Sequence, residues 1–320
     1  MANHLTLQER EIVAQMRHDH RKQREIAERL KRDPSTISRE LRRNRGRNGY
    51  WSSSAQAMAD ARRSHRPWIC KMERPEVARY VRERLRLYWS PDEIAGRSRR
   101  DFPGNPRHRV SRQMIYTWIY TQQAAGASWL RYLRRLGRMR RRSENRGRLP
   151  ACVSIKGRPA VVDRRARYGD WEGDTVVGRW HQGGAVTLVD RKSGYLLLGK
   201  VPDRHASTVH EAIKELFQPM PASLRRTLTL DNGKEFAEHE SLAAEIALQV
   251  YFAEPYCAWQ RGTNENTNGL VRQFFPKGSD MAHVPVQRFE KVQHLLNNRP
   301  RKRLGYRTPH EILSSRLRCD

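Results

Sequence analysis

Residues 171–201 read WEGDTVVGRWHQGGAVTLVDRKSGYLLLGKV. The runs WEGDTVVG, GAVTLVD and GYLLLGKV are rich in Val, Leu and Thr and are bounded by glycines, the composition of strands separated by turns. Further along, HASTVHEAIKELFQ (205–218) places Val209, Ala212, Ile213, Leu216 and Phe217 at i, i+3, i+4, i+7 and i+8. That is the stripe of an amphipathic helix crossing from a third strand to a fourth. The fourth strand lies in RRTLTLDNG (225–233) and stops at an Asn-Gly turn, and a helix at about 240–248 leads to a fifth in VYFAE (250–254). Three strands, a helix, a strand, a helix and a strand predict a mixed α/β sheet. Such a sheet brings residues far apart in sequence to the same strand ends.

Three acids occupy positions of that kind. Asp174 lies in the first strand, Asp231 ends the fourth, and Glu265 opens the helix after the fifth, with 33 residues between Asp231 and Glu265. A few rigidly mounted carboxylates suit hard divalent ions, and two such ions about 3.5–4 Å apart stabilise both the attacking and the leaving oxygen at a phosphodiester. Asp170 and Glu172 would share a face with Asp174 if the strand began early. Asp174 is preferred because TVVG follows it directly, which places it nearest the sheet interior. On the helix of Glu265, Asn268, Gly269 and Arg272 share its face, while Leu270, Val271, Phe274 and Phe275 turn to the core. Asn264, Asn268 and Arg272 are therefore expected to meet DNA. Asp190 is expected in a turn or salt bridge, and Lys234 and Glu235 are given no catalytic role. His181, His205 and His239 lack metal-ligand spacing and are expected at the surface.

The chain has 320 residues, with 63 Lys and Arg against 34 Asp and Glu, a formal charge of +29. That balance points to a polyanionic partner, nucleic acid, and no apolar run approaches the roughly 20 residues needed to span a bilayer. The start MANHLTLQER has no signal-peptide core, so a cytoplasmic, nucleoid-associated protein is expected. The four cysteines, Cys70, Cys152, Cys257 and Cys319, are far apart and form no CxxC pair, which argues against zinc and against a disulfide framework. Charge concentrates in RRLGRMRRRSENRGR (134–148), eight arginines to one glutamate. Such a run repels itself and is expected to lie on phosphates, with Arg140, Arg141 and Arg142 at its centre.

Upstream, Thr6 and Glu9 make a capping box for a helix at about 7–17. In QREIAERLKRDPSTISRELRRN (23–44), Ile26, Ala27 and Leu30 form an inward stripe, 31–33 is a turn, and Asp33 caps a helix that begins at Pro34. Ile37 and Leu41 anchor that helix. Ser35, Thr36, Ser38, Arg39, Arg42 and Arg43 then project outward with the hydroxyl and guanidinium groups that suit base edges and phosphates. A second helical pair follows, one helix capped by Ser90 and Glu93 with Pro91 first, the other opening after Ser111 with Arg112 and Gln113 as candidate DNA contacts. The loop between them is long for a helix-turn-helix, which leaves a plain helical spacer open. Trp118 and Ile119 are expected in a core. Near the C-terminus Phe289, Val292 and Leu296 form a stripe. Arg299, Arg301, Lys302 and Arg303 make a basic elbow that would grip DNA or serve as a structural tail, and Thr308 with Glu311 caps a last helix.

The segments TISRELRRN (36–44), YGDWEGDTVVG (168–178), LTLDNGKEFAEH (228–239), YCAWQRGTNENTNGLVRQFFPKG (256–278) and LNNRPRKRLGYRTPHEIL (296–313) together resemble the DDE transposases of the insertion-sequence-thirty family over nearly the whole chain. The resemblance implies a helix-turn-helix region at 1–60, a second helical, helix-turn-helix-like region at 61–133 and a basic linker at 134–160. An α/β ribonuclease-H-like core of the retroviral-integrase type, with a mixed sheet, would fill 161–320. It implies Asp174, Asp231 and Glu265 as the metal-binding catalytic triad, with two Mg2+ ions that Mn2+ can replace, and Arg272 as the basic residue beside it. The activity implied is binding to the terminal inverted repeats of a bacterial element, hydrolysis that frees a 3′-hydroxyl, and in-line attack of that hydroxyl on target DNA. At least a dimer is expected on DNA. A nuclease or integrase of another element, and a repressor with an inactive core, are the alternatives.

Overall fold

The computed structural model describes residues 4–46, 49–64, 71–134, 152–255 and 257–317, and the chain groups into two compact units, residues 1–70 and 71–320. The first unit holds helices α1 (Leu7–His18), α2 (Gln23–Arg29), α3 (Pro34–Asn44) and α4 (Ser52–Ser64). The capping box closes at both ends: Glu9 N donates to Thr6 Oγ1 at 3.2 Å, and Thr6 N donates to Glu9 Oε2 at 2.7 Å. Asp33 accepts from Ser35 N at 2.7 Å with Pro34 at the first helical position, so α3 starts where its sequence places it. Leu5, Val13, Ile26, Ala27 and Ile37 form the core, with Leu30 and Leu41 packed against it. Periodicity gave no sign of Arg10, which is buried. Its guanidinium donates to Glu40 Oε1 at 2.8 Å, to Leu5 O at 2.7 Å and to Gln56 Oε1 at 2.6 Å, tying α1 to α3 and α4.

The second unit begins with α5 (Pro75–Arg86), α6 (Pro91–Asp101), α7 (Arg112–Ala124) and the short α8 (Ala160–Asp163). The sheet follows: β1 (Asp170–Val177), β2 (Gly184–Asp190), β3 (Leu196–Val201), α9 (Ala206–Phe217), β4 (Thr227–Leu230), α10 (His239–Glu245) and β5 (Gln249–Phe252). Helices α11 (Gly262–Val271), α12 (Val286–Asn297) and α13 (Pro309–Leu317) complete it. Strand order is β3-β2-β1-β4-β5; the hairpin strands β1, β2 and β3 are antiparallel, and β1, β4 and β5 run parallel. Both faces are covered. Trp171, Leu188, Leu228 and Leu230 pack under Val209, Ile213 and Phe217 of α9 and Leu242 of α10. On the opposite face Val176, Val189 and Leu198 meet Leu270 and Val271 of α11 and Phe289, Val292 and Leu296 of α12. Every position of β2 is buried, which is why that strand reads as an apolar run rather than an alternation.

Within this unit α6 is stapled to the C-terminal helices. Arg97 donates to both oxygens of Glu311 at 2.9 and 2.7 Å, and buried Arg299 donates from Nε to Glu93 at 3.0 and 2.8 Å. The expected basic elbow therefore divides. Arg299 faces inward and Arg301, half-buried, donates to Leu296 O at 2.9 Å, whereas Lys302 and Arg303 are exposed, Arg303 with its Nη1 donating to Lys192 O at 3.0 Å. Arg299 therefore takes the structural role that was the alternative to gripping DNA. Tyr306 lies so close to Gly96 that a Cβ there would fall 2.2 Å from its ring. Gly96→Ala is expected to destabilise by about 1–3 kcal/mol through this overlap, read as a lowered urea midpoint with an unchanged slope. Ile119 is fully buried, while Trp118 is half-buried against Trp129 at 5.4 Å between ring centroids.

Candidate active site

Strand β1 starts at Asp170, so Asp170, Glu172 and Asp174 all fall on one face. The parallel register pairs Asp170 with Thr227 and Glu172 with Thr229. Carried two residues further, it sets Asp174 beside Asp231 on neighbouring strands roughly 4.8 Å apart. Burial separates the three carboxylates. Asp170 and Glu172 are sealed inside, whereas the Asp174 side chain is 26% exposed. Asp174 is thus not the innermost acid, as its apolar successors suggested; it stands out because it lies at the solvent edge. The inner two serve the fold. Asp170 accepts from Arg167 Nε at 3.0 Å and from Thr227 Oγ1 at 2.9 Å. Glu172 takes Arg191 Nη1 on Oε1 at 2.5 Å and the backbone N–H of Asn264 on Oε2 at 2.8 Å, which clamps the first turn of α11 to β1.

Asp231 follows β4 directly and its Oδ1 accepts from Gly233 N at 3.0 Å, an Asx-type turn. Arg261, the residue before α11, lies between the two acids: Nη2 is 3.1 Å from Asp231 Oδ2 and Nη1 is 3.6 Å from Asp174 Oδ2. Nη1 also donates to Gly173 O at 2.9 Å. A Cβ on Gly173 would sit 2.6 Å from the Leu230 side chain, so a larger residue there would force that leucine to shift. Asn268 Nδ2 donates to Asp174 Oδ2 at 2.9 Å, and Thr187 Oγ1 of β2 holds the other end of that amide at 2.8 Å. Glu265, four residues beyond Arg261, is on the exposed side of α11. Among the described residues no three His, Cys, Asp or Glu side chains are gathered closely enough to hold a metal ion. Asp174 and Asp231 are brought to one guanidinium, and Glu265 is carried on the helix that borders it.

Other expected contacts fare differently. Asn264 is fully buried, its Nδ2 donating to Glu172 O at 3.0 Å and Thr187 O at 3.2 Å, so it secures α11 and does not face solvent. Arg272 is half-buried; burial pulls its guanidinium below the usual arginine range, against the opposing pull of Asp174. Ser35, Ser38, Arg39, Arg42 and Arg43 are exposed on α3, and Thr36 is half-buried. Arg112 and Gln113 are exposed in the first turn of α7. Arg140, Arg141 and Arg142 lie outside the described residues, as do Cys70 and Cys319. Cys152 and Cys257 are free thiols, and burial raises the first.

The remaining polar residues are structural. Asp190, buried and raised by that burial, takes Ser193 N and Oγ at 2.6 Å and Gly169 N at 3.0 Å in the β2–β3 turn. Burial works to raise Glu235, but the bond and charge of Arg204 together with the bond from Thr175 Oγ1 hold the carboxyl below the ordinary range. Lys234 and His205 are exposed. His239 is not a surface residue: it is buried, with Nδ1 3.1 Å from Phe236 O and its ring against Phe252. Periodicity missed Arg261 and Thr187 as site-building residues, and showed Glu172 only as a rival to Asp174. Arg261 alone carried a signal, its i, i+4 spacing to Glu265.

Residues 2–44 match the helix-turn-helix domain family, ending where α3 ends, and residues 164–258 match the integrase core domain family. The second span contains Asp174 and Asp231 and stops short of Glu265. The chain is 38% identical over 319 residues to the transposase for insertion sequence element IS4351 of Bacteroides fragilis, covering 97% of this chain and 95% of that one. It is 38% identical over 320 residues to transposase InsI for insertion sequence element IS30A of Escherichia coli (strain K12), covering 97% and 83%. To the transposase for insertion sequence element IS1086 of Cupriavidus metallidurans it is 40% identical over 304 residues, covering 92% and 89%. Identity at this level along almost the whole chain joins a helix-turn-helix unit to a mixed five-stranded, ribonuclease-H-like core, and the chain belongs to the transposases of the IS30 family.

Proposed function

We propose that this transposase reads the terminal inverted repeats of its element with the exposed face of α3, and cuts and joins DNA strands at Asp174, Asp231 and Glu265. The observation that carries the site is the pair Asp174 and Asp231, which stand on neighbouring strand ends and already share one cation. Transposases with this core use divalent metal ions. Carboxylate oxygens are the donors that hard ions take, so the pair fits two Mg2+, with Mn2+ as a substitute and Glu265 as the third ligand. When bound, these ions would neutralise charge at the reacting phosphodiester. The protein's own contribution is placement. Asn268, fixed by Thr187, holds Asp174 Oδ2 in position, and Asn268 and Arg272 would meet a DNA phosphate brought to these acids. The substrates are double-stranded repeats and target DNA, held by at least a dimer in the cytoplasmic nucleoid; among the described residues no helix is long and apolar enough to cross a membrane. Residues 61–133 would act as a second helical region and the 134–148 arginines would lie on phosphates.

The reaction is tested with a pre-cleaved element end bearing a 3′-hydroxyl, target DNA and Mg2+: a covalently joined product is expected, and hydrolysis without joining would make the protein a nuclease. The reader is tested separately. Arg39→Ala or Arg42→Ala should weaken binding to the ends on the order of ten- to a hundredfold and leave chemistry on a pre-nicked substrate intact. Gel shifts and single-turnover joining assays measure the two effects, and equal loss of both would count against separate reading and cutting units.

A further inference from the structure

We propose that Arg261 is a built-in counter-cation: it keeps Asp174 and Asp231 facing one another and must leave before divalent ions enter. The proposal rests on the reading of those acids as metal ligands. Two carboxylates on adjacent strands repel each other, and a positive group between them offsets that repulsion. Arg261 fills that role through a different terminal nitrogen for each acid, at 3.1 and 3.6 Å, with Gly173 O holding Nη1 at 2.9 Å.

The guanidinium and a dication cannot both occupy this gap. They carry like charge and would compete for the same oxygens, Oδ2 of Asp174 and Oδ2 of Asp231. The fit of Arg261 is also incomplete, because its Nε is buried without a hydrogen-bond partner among the described residues. An unmet buried donor makes the occupied state less favourable than a fully bonded one. The surroundings permit exit. Trp259, two residues before, is 72% exposed, and the space a Cβ on Gly262 would fill is open. The turn is tied at Gln260, whose Oε1 accepts from Glu254 N at 2.8 Å, and is open on the side of Trp259 and Gly262.

Displacement has a thermodynamic signature. An ion that must first expel an internal competitor binds more weakly by the fraction of molecules in which the gap is free. Removing the competitor should therefore tighten binding, whereas a merely structural residue would loosen it when removed. The sign of the change separates the two roles. Arg261 is accordingly a positioning residue for the acids that also sets the order of events, exit first and ions second.

The test is Mn2+ titration of the full chain without DNA, followed by calorimetry and by electron paramagnetic resonance of free Mn2+. Arg261→Gln keeps a donor for Gly173 O but removes the charge, and should bind Mn2+ about tenfold more tightly than the parent. Arg261→Lys retains a charge yet cannot fork to both acids, so it should fall between the two, and it serves as the readout if the glutamine form does not fold. Unchanged or weaker binding in both variants overturns the proposal. Asp231→Asn distinguishes the underlying reading: it should weaken Mn2+ binding in the parent and in Arg261→Gln alike. If Asp231→Asn has no effect in either background, the metal assignment itself fails and the counter-cation role falls with it.

Discussion

Asp231→Asn should lower strand cleavage and joining on the order of a thousandfold or more while leaving binding to the element's ends unchanged. The magnitude follows from the role. Divalent ions stabilise charge at a reacting phosphodiester by several kcal/mol, and each 1.36 kcal/mol is about a factor of ten in rate. The substitution is geometrically mild, because an asparagine Oδ1 can still accept from Gly233 N and keep the turn after β4. What it removes is the charge shared with Asp174 across Arg261. The α3 reader lies in the 1–70 unit and keeps its own core of Leu5, Val13, Ile26, Ala27 and Ile37, so end recognition has no reason to change. Labelled-end gel shifts and single-turnover cleavage in Mg2+ measure the two quantities. Chemistry surviving in the variant, with binding intact, would remove Asp231 from the reaction.

Glu172→Ala should cost about 3–5 kcal/mol of stability, the largest single-site loss expected in the sheet. The substitution strips Arg191 of its 2.5 Å partner while the guanidinium stays buried, and it leaves the Asn264 N–H without its acceptor. Arg191 retains the bond from Nε to Val162 O at 3.1 Å and a distant contact to Asp163 at 3.8 Å, which do not replace a carboxylate. A loss of this size is a large share of the roughly 5–15 kcal/mol that holds an ordinary domain together. Urea unfolding followed by circular dichroism gives the number. Glu172→Gln should lose less, since it still offers an oxygen to Asn264 N, and a loss below about 1 kcal/mol for the alanine form would show that β1 does not depend on this pair. Because Glu172 anchors the helix that carries Glu265 and Asn268, residual folded enzyme should also join strands more slowly.

The sheet was legible because its strands are short, apolar and set off by glycines, and because the α9 stripe runs without interruption from Val209 to Phe217. Caps were legible too: Thr6, Asp33, Ser90, Ser111 and Thr308 each bond where their spacing to the next few residues places them. The inner structure of the site was not. Asp170, Glu172 and Asp174 alternate identically along one face, and what separates Glu172 and Asp174 is the arrival of Arg191 and Asn268 from further along the chain, while Asp170 is met by its near neighbour Arg167. Local pattern carries no record of such long-range pairing. Asn264 and Arg299 looked like DNA contacts for the same reason, being polar residues in polar surroundings, yet each is turned inward by acceptors that only the fold supplies: Glu172 O and Thr187 O for one, Glu93 for the other.

The clasp between α6 and the C-terminal helices has a bearing on how the enzyme comes into being. Glu93 and Arg97 wait for residues 206 and 214 positions further on, so on the ribosome these charges stay without their mates until translation has passed Glu311. Contacts of such sequence separation close slowly, since a long loop must be fixed before it is rewarded. A messenger cut short before that point lacks the partners of Glu93 and Arg97, so the fastening of α6 is tied to a message read through α13.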